Sequence, residues 1–365
     1  MKHRIHFITT LLLLALLAAC VPIDPSNLAS DDVATEATTA PAEEAAMPDG
    51  ECGAGFRLFD HAHLANDPVC IPESPQRVAI LGIPILEFAL IEDIKPVAVS
   101  GFGRDLIARS NPDISLDMGV LTENSVDVDG AAEIGGGGVN LEALLATNPD
   151  LIIAEDWVVL EYDAGLELFN QIAPTILYAD DDDYADEQRG SIAFMAAAMN
   201  MPEAGEVLLA QLDTRIEAFR DAMGDDLETT TISIVRIREN INIFLEGTFS
   251  HMLVTEVGLS RPEHQQNLPG DFAMSEEMIP LVDADHLFVF TAGMAQQEDE
   301  AKKIIDNLKE DPLWQTLDAV QNDRLYSVGS NWMGFGLLEA HSVLDDLFEN
   351  VAGVDPAEVS PNPFE

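Results

Sequence analysis

Only seventeen lysines and arginines stand against sixty-six acidic residues in this chain, so the few guanidinium groups are the side chains whose placement can carry recognition chemistry. Phe102, Arg104 and Arg109 follow one apolar run, Trp157 follows a second, Arg236 and Arg238 close a third, and Trp332 and Phe335 follow a fourth. Arginine forks match the oxygens of an anionic ligand, and aromatic faces cover an apolar skeleton, so this set suits a bulky anionic molecule. Arg236 is the foremost candidate. Strand alternation puts it on one face with Arg238 and leaves Val235 and Ile237 on the other. Each arginine has an alternative partner in the plentiful surface carboxylates.

Catalytic chemistry finds no support. The chain has no P-loop, no His-Glu-x-x-His, no Gly-x-Ser-x-Gly and no Cys-x-x-Cys, so no catalytic residue is assigned. Gly101-Phe102-Gly103 lacks the third glycine of a dinucleotide loop, and Gly135 to Gly138 suits a flexible loop before a helix. His61-Ala62-His63 is the only close histidine spacing; it reads as part of an exposed hairpin, and no metal ligand set is assigned. Asp180 to Asp183 lack the glycine and distal glutamate of a calcium loop. A net charge of −49 argues against nucleic acid, whose phosphates need Lys and Arg, and reads as a solvated, salt-tolerant, monomeric surface.

The cysteines say where the chain works. Lys2 and Arg4 precede an apolar run, Leu11 to Ala19, too short to span a bilayer, and Leu17-Ala18-Ala19-Cys20 is similar to the lipobox of bacterial lipoproteins. On that reading residues 1–19 are a signal peptide and the lipidated Cys20 anchors the protein outside the cytoplasm, on the periplasmic side or at the cell surface. Cys52 and Cys70, an even pair in an oxidising compartment, read as a disulfide closing a small hairpin within 51–75, with two free thiols as the alternative.

Residues 20–50 are Ala, Thr, Pro, Ser and acid with almost no large apolar side chain, the composition of a flexible linker. From residue 76 to 200 short β-rich runs alternate with helical periods, which predicts an α/β lobe with strands at Val78–Leu81, Val97–Ser100, Leu151–Ala154 and Thr175–Tyr178. Residues 229–355 repeat the pattern, with strands at Ile232–Ile237, Asn242–Leu245, Leu287–Thr291 and Arg324–Val328. A helix opening at Ser275, Glu276 and Glu277 and a closing helix over Gly336–Asn350 accompany them. Trp314 opens a further helix and reads as packing. Between the lobes, over 201–228, Leu208, Leu212, Ile216 and Phe219 form one helical stripe, the mark of a long connecting helix.

The ordered segments Ser74-Pro75-Gln76-Arg77-Val78-Ala79-Ile80, Glu87, Ile94-Lys95-Pro96-Val97, Asn140-Leu141-Glu142-Ala143-Leu144, Asn148-Pro149-Asp150-Leu151-Ile152-Ile153 and Ile172-Ala173-Pro174-Thr175 resemble the iron-siderophore substrate-binding proteins of ABC importers. In the second half Ser233 to Arg238, Gly247-Thr248-Phe249-Ser250, Val257 to Glu263 and Trp332 to Gly336 continue the likeness, which spans about Pro75 to Asn350. The resemblance implies the class III periplasmic-binding fold, two α/β lobes with central sheets flanked by helices and joined by a single long helix, with a ligand cleft between them. It implies a ferric siderophore as ligand, no resident cofactor, and delivery to an ABC permease and its ATPase. Ligand contacts are expected from Arg104, Trp157, Arg236, Arg238, Phe249 and Trp332, and permease docking from Glu161, Asp163 and Glu263. Cobalamin or haem binding on the same fold remains open; a bare zinc or manganese carrier and an extracytoplasmic enzyme are weaker alternatives, since neither convergent ligands nor a nucleophile and base can be assembled.

Overall fold

The computed structural model describes residues 52–111, 114–123, 125–129, 138–160, 165–179, 187–238, 240–245, 247–266, 268, 270–291, 298–334 and 336–365. Cys20, Glu161, Asp163, Phe335, most of the Gly135 to Gly138 run and the Asp180 to Asp183 run lie outside them.

A hairpin comes first. Strands β1 (Phe56–Phe59) and β2 (Val69–Pro72) pair antiparallel, and Cys52 is bonded to Cys70. Then follow β3 (Val78–Leu81), α1 (Pro84–Ile91), β4 (Ala98–Val99), α2 (Gly101–Ser110), α3 (Gly119–Thr122), β5 (Val126–Asp127), α4 (Leu141–Ala146), β6 (Leu151–Glu155), α5 (Asp156–Leu160), α6 (Gly165–Asn170), β7 (Thr175–Tyr178) and α7 (Glu187–Ala198). The five strands β3 to β7 are all parallel in the order β5-β4-β3-β6-β7. β3, β6 and β7 are buried along their whole length, as central strands covered by helices on both faces must be, which is why they read as unbroken apolar runs. The hairpin is docked onto this half: Arg57 donates to the carbonyls of Ala197 and Ala198 at the C-terminus of α7, where a cation also complements the helix dipole. Leu64 pairs with Tyr178, so the chain after β1 covers the edge that β7 would otherwise expose.

The long helix α8 (Pro202–Met223) starts at Pro202, tolerated in a first turn, and buries the Leu208, Leu212, Ile216 and Phe219 stripe. Beyond it come β8 (Ile232–Ile237), β9 (Ile241–Phe244), α9 (Phe249–Val257), β10 (Asp271–Met274), β11 (His286–Phe290), α10 (Glu298–Glu310), α11 (Asp318–Gln321), β12 (Leu325–Ser327), α12 (Leu337–Leu347) and α13 (Pro356–Val359). The second sheet has the order β10-β9-β8-β11-β12; β9 runs antiparallel to β8 and β10, while β8, β11 and β12 are parallel. The segment from Ser275 is a 3-10 turn over Glu276–Val282 rather than the expected α-helix, because Pro280 removes a donor inside it. Trp314 begins a short 3-10 turn and is buried in the core of this half.

Several polar ties besides α8 join the halves. The Glu87 carboxylate of α1 accepts the Leu338 amide at the start of α12 at 3.1 Å, and Asn111 donates to Glu339 at 2.9 Å. Burial, with Glu339 beside it, pushes the Glu87 carboxyl well above the ordinary range. Gly336 has no side chain where one would collide with that carboxylate. Arg189 of α7 binds Glu256 of α9 and Asp213 of α8 at 2.9 and 2.7 Å. The buried Arg215 of α8 donates to the carbonyls of His341 and Ser360 and to Asp345, and Ser115 donates to the Phe364 carbonyl, so the C-terminal ten residues strap the joint.

Candidate functional site

In open α/β sheets ligands bind beyond the carboxyl ends of the strands. Here α2, which follows β4, packs against the 3-10 turn Ser330–Met333, which follows β12, so the carboxyl ends of the two sheets meet at one junction.

On the first sheet that junction is furnished with carboxylates. Ser100 caps α2 by accepting the Gly103 amide at 3.2 Å, and Asp129, just past β5, accepts the Phe102 amide at 2.6 Å. Partial burial lifts the Asp129 carboxyl, and donors from Phe102, Ser100 and Gly101 hold it back. Asp127 accepts the Asp129 amide at 2.9 Å and lies 4.0 Å from the Arg104 guanidinium, which is also paired with Asp105 at 2.9 Å. Gly101 is needed here, since a side chain would run into Asp127. At the end of β6, where the strand order reverses about β3, the buried Glu155 accepts the Ile83 amide at the head of α1 at 2.8 Å. The backbone donors at the starts of α1 and α2 are thus already paired with side chains.

The second sheet ends differently. Arg236, one residue from the end of β8, lies opposite Asn242 and Phe290 and holds its guanidinium 4.9 Å above the Phe244 ring, within cation–π range. Phe244 meets Phe290 edge-on at 5.1 Å. Arg238 is exposed in the β8–β9 turn, where its amide donates to Asn240 at 3.0 Å. Behind them Arg261 is buried, donating to the Phe244 carbonyl at 2.7 Å and to His251 at 3.1 Å. Burial brings the Arg261 guanidinium down to about 9, and burial with that cation beside it brings His251 down to about 4.

Of the expected contacts, Arg236 and Arg238 stand at the end of β8, Arg104 lies in the first turn of α2, and Trp157 is half-buried against the core of the first sheet. Two expectations need correction. Trp332 has no exposed surface: its ring stacks on Phe288 at 4.4 Å and its N–H donates to Asp346 at 2.6 Å. Burial pushes that Asp346 carboxyl up to about 6. Phe249 is likewise buried, against Gly334, whose φ of +40° and lack of a side chain let the ring in. Both rings support the junction from behind, because a large aromatic surface gains more from core packing than from a polar rim. Glu263 is exposed in a 3-10 turn, and Arg109 is exposed with its side chain turned back onto the Asp105 carbonyl.

Sequence reasoning passed over Asp127, Asp129, Glu155 and Phe244. An Asp-x-Asp spacing after a two-residue strand was the available signal for the first two, but which helix they cap depends on tertiary placement. A cavity of about 620 Å³ also opens between the end of α2 and α12, lined among others by Arg109, Asn111, Ser342, Asp346 and Phe364; of the arginines singled out from the sequence only Arg109 reaches it. His61 and His63 pack with Phe194 and Tyr178 in the hairpin, and among the described residues no group of three His, Cys, Asp or Glu is placed to hold a metal ion.

The profile of the periplasmic binding protein family matches residues 107–331. Over 302 residues the chain is 28% identical to the probable siderophore-binding lipoprotein YfiY of Bacillus subtilis, covering 80% of this chain and 86% of that protein. Among solved structures, Staphylococcus aureus SirA complexed with staphyloferrin B superposes with a TM-score of 0.63 at 22% identity, covering 81% of this chain and 98% of that one. The triscatecholate siderophore-binding protein FeuA of Bacillus subtilis complexed with ferri-bacillibactin gives 0.61 at 17% identity, over 81% and 98%.

Proposed function

Since the chain belongs to the periplasmic binding protein family and has its class III fold, we propose that it is an extracytoplasmic solute-binding lipoprotein that captures a ferric siderophore between its two sheets and delivers it to an ABC importer. The observation that carries this reading is Arg236 at the carboxyl end of β8, its guanidinium laid over the Phe244 ring. A cation there receives chelate oxygens while the rings cover the chelator's apolar skeleton. The siderophore-binding names of the relatives agree with it and give no support to cobalamin or haem.

The protein binds and releases its ligand unchanged; the family is one of solute carriers, and the iron is cargo. Lipidated Cys20 holds the monomer at the membrane, and no helix among the described residues is long and apolar enough to cross one. Glu161 and Asp163 on one lobe and the exposed Glu263 on the other meet basic groups of the permease. Neutralising these three acids lowers transport in cells without changing ligand affinity in solution; unchanged transport removes the docking assignment. Equilibrium dialysis against ferric hydroxamate, ferric catecholate, ferric citrate, haem and cobalamin tests the ligand. Saturable binding of a ferric chelate is expected, and binding of haem or cobalamin alone would replace the reading.

A further inference from the structure

Two arginines are buried among the described residues, Arg215 and Arg261, and the fold treats them differently. Arg215 is paired with the Asp345 carboxylate and donates to two carbonyls besides. Arg261 has no acid beside it. Its Nε donates to the neutral His251 ring at 3.1 Å and its Nη2 to the Phe244 carbonyl at 2.7 Å, while Nη1 is buried without a hydrogen-bond partner. Burial alone lowers its guanidinium, with no carboxylate to raise it again. In a chain of sixty-six acidic and seventeen basic residues, that isolation is not for want of partners. An uncompensated buried charge lowers stability, and an apolar side chain of similar volume packs the same space at less cost. Such a charge is kept for something other than the stability of the fold.

Its position supplies a use. Phe244 lies between two cations: Arg261 holds its carbonyl, and the Arg236 guanidinium lies 4.9 Å over its ring. Phe244 itself is buried and meets Phe290 edge-on at 5.1 Å, so the material between Arg261 and the end of β8 is hydrocarbon, which screens a charge far less than water does. Resting on the function proposed above, we propose that Arg261 is a specificity-determining residue, a fixed positive charge behind Phe244 that favours a ferric chelate of net negative charge over a neutral one without touching it. Three catecholate dianions around Fe(III) leave a triply negative complex, and free carboxylates on a citrate chelate leave negative charge as well; three hydroxamate monoanions leave a neutral complex. The first two gain from a positive potential at the end of β8, and the third does not.

The test is equilibrium dialysis of the whole protein against a ferric tris-catecholate, ferric citrate and a ferric tris-hydroxamate, with urea unfolding of every variant read alongside. The unaltered protein is expected to bind one of the two anionic chelates at least about tenfold more tightly than the neutral one. Arg261→Gln, which keeps a donor for the Phe244 carbonyl and discards the charge, cuts that preference by about tenfold, and Arg261→Met, which discards both, cuts it as far. Arg261→Lys keeps the charge and retains the preference. Because the charge is unpaired, the unfolding midpoint of Arg261→Met holds or rises. A merely structural arginine gives the opposite pattern, a lower midpoint with all chelates weakened alike in all three variants. That pattern, or a neutral chelate bound by the unaltered protein as tightly as the anionic ones, overturns the inference and leaves the siderophore function standing. Binding of none of the three removes the function and the inference together.

Discussion

The first sheet ends in carboxylates already engaged with the molecule's own backbone, the second in the Arg236 guanidinium laid over the Phe244 ring. The difference follows from topology as much as from composition. Five parallel strands give the first sheet helix heads at its carboxyl ends, and Asp129 and Glu155 pair with donors there. In the second sheet β9 runs backwards, so the end of β8 lies beside a hairpin turn instead of a helix head. Both sheets are held by a third region, the joint of α8, α12 and the C-terminal strap, where polar groups are buried and linked to each other.

That contrast can be broken most forcefully at the joint. Arg215→Ala removes a buried guanidinium that serves three partners and leaves Asp345 without it, so a loss of about 3 to 5 kcal/mol in urea unfolding is expected, with ligand affinity of the folded protein unchanged. A large affinity change would mean that the joint and the strand ends are not separate. Reducing the hairpin bridge, by Cys52→Ser with Cys70→Ser, costs about 3 kcal/mol for a loop closed over a separation of 18 residues and again spares affinity. At the end of β8 Arg236→Ala should do the reverse, weakening chelate binding by about tenfold or more with little change in unfolding midpoint.

The smallest effect is a pH slope. Burial and the neighbouring Arg215 bring His341 from its ordinary 6.5 down to about 3, and His251 falls to about 4. Below pH 6.5 the unfolded chain takes up protons that the folded chain refuses, so these groups remove stability as the pH falls from 6.5 toward 4 and 3. Asp346, raised from 3.8 to about 6, opposes them: folding favours its protonated form, so its contribution is lost as the pH rises through 6. Asp346→Asn keeps an acceptor for Trp332 but lacks this titration. Its unfolding midpoint should therefore fall more steeply between pH 6 and 4 than that of the unaltered protein; an identical slope contradicts the assignment.

Much of the scaffold can be read from residue order. β3, β6 and β7 are apolar runs because both faces are covered, and the α8 stripe repeats at helical spacing because one face is buried. Short or dependent elements were less legible. β5 has two residues, both exposed, and α2 opens Gly-Phe-Gly, a poor helix start by propensity that Ser100 and Asp129 stabilise through caps. At the site, the guanidinium groups stood out by scarcity, while Asp127, Asp129 and Glu155 were hidden among dozens of acids and became distinct only through the amides and the guanidinium they meet. Trp332 shows the opposite error: a conspicuous aromatic near a strand end is core because Phe288 and Asp346 lie beneath it.

Hydrogen exchange of the protein with and without a bound ferric chelate tests the central assignment most directly. The account predicts that amides around residues 100–104, 236–245 and 329–334 gain protection on binding, those of α8 remaining as they were. Protection confined to the cavity residues around 109–111, 342–349 and 362–365 would contradict it and move the site to the joint.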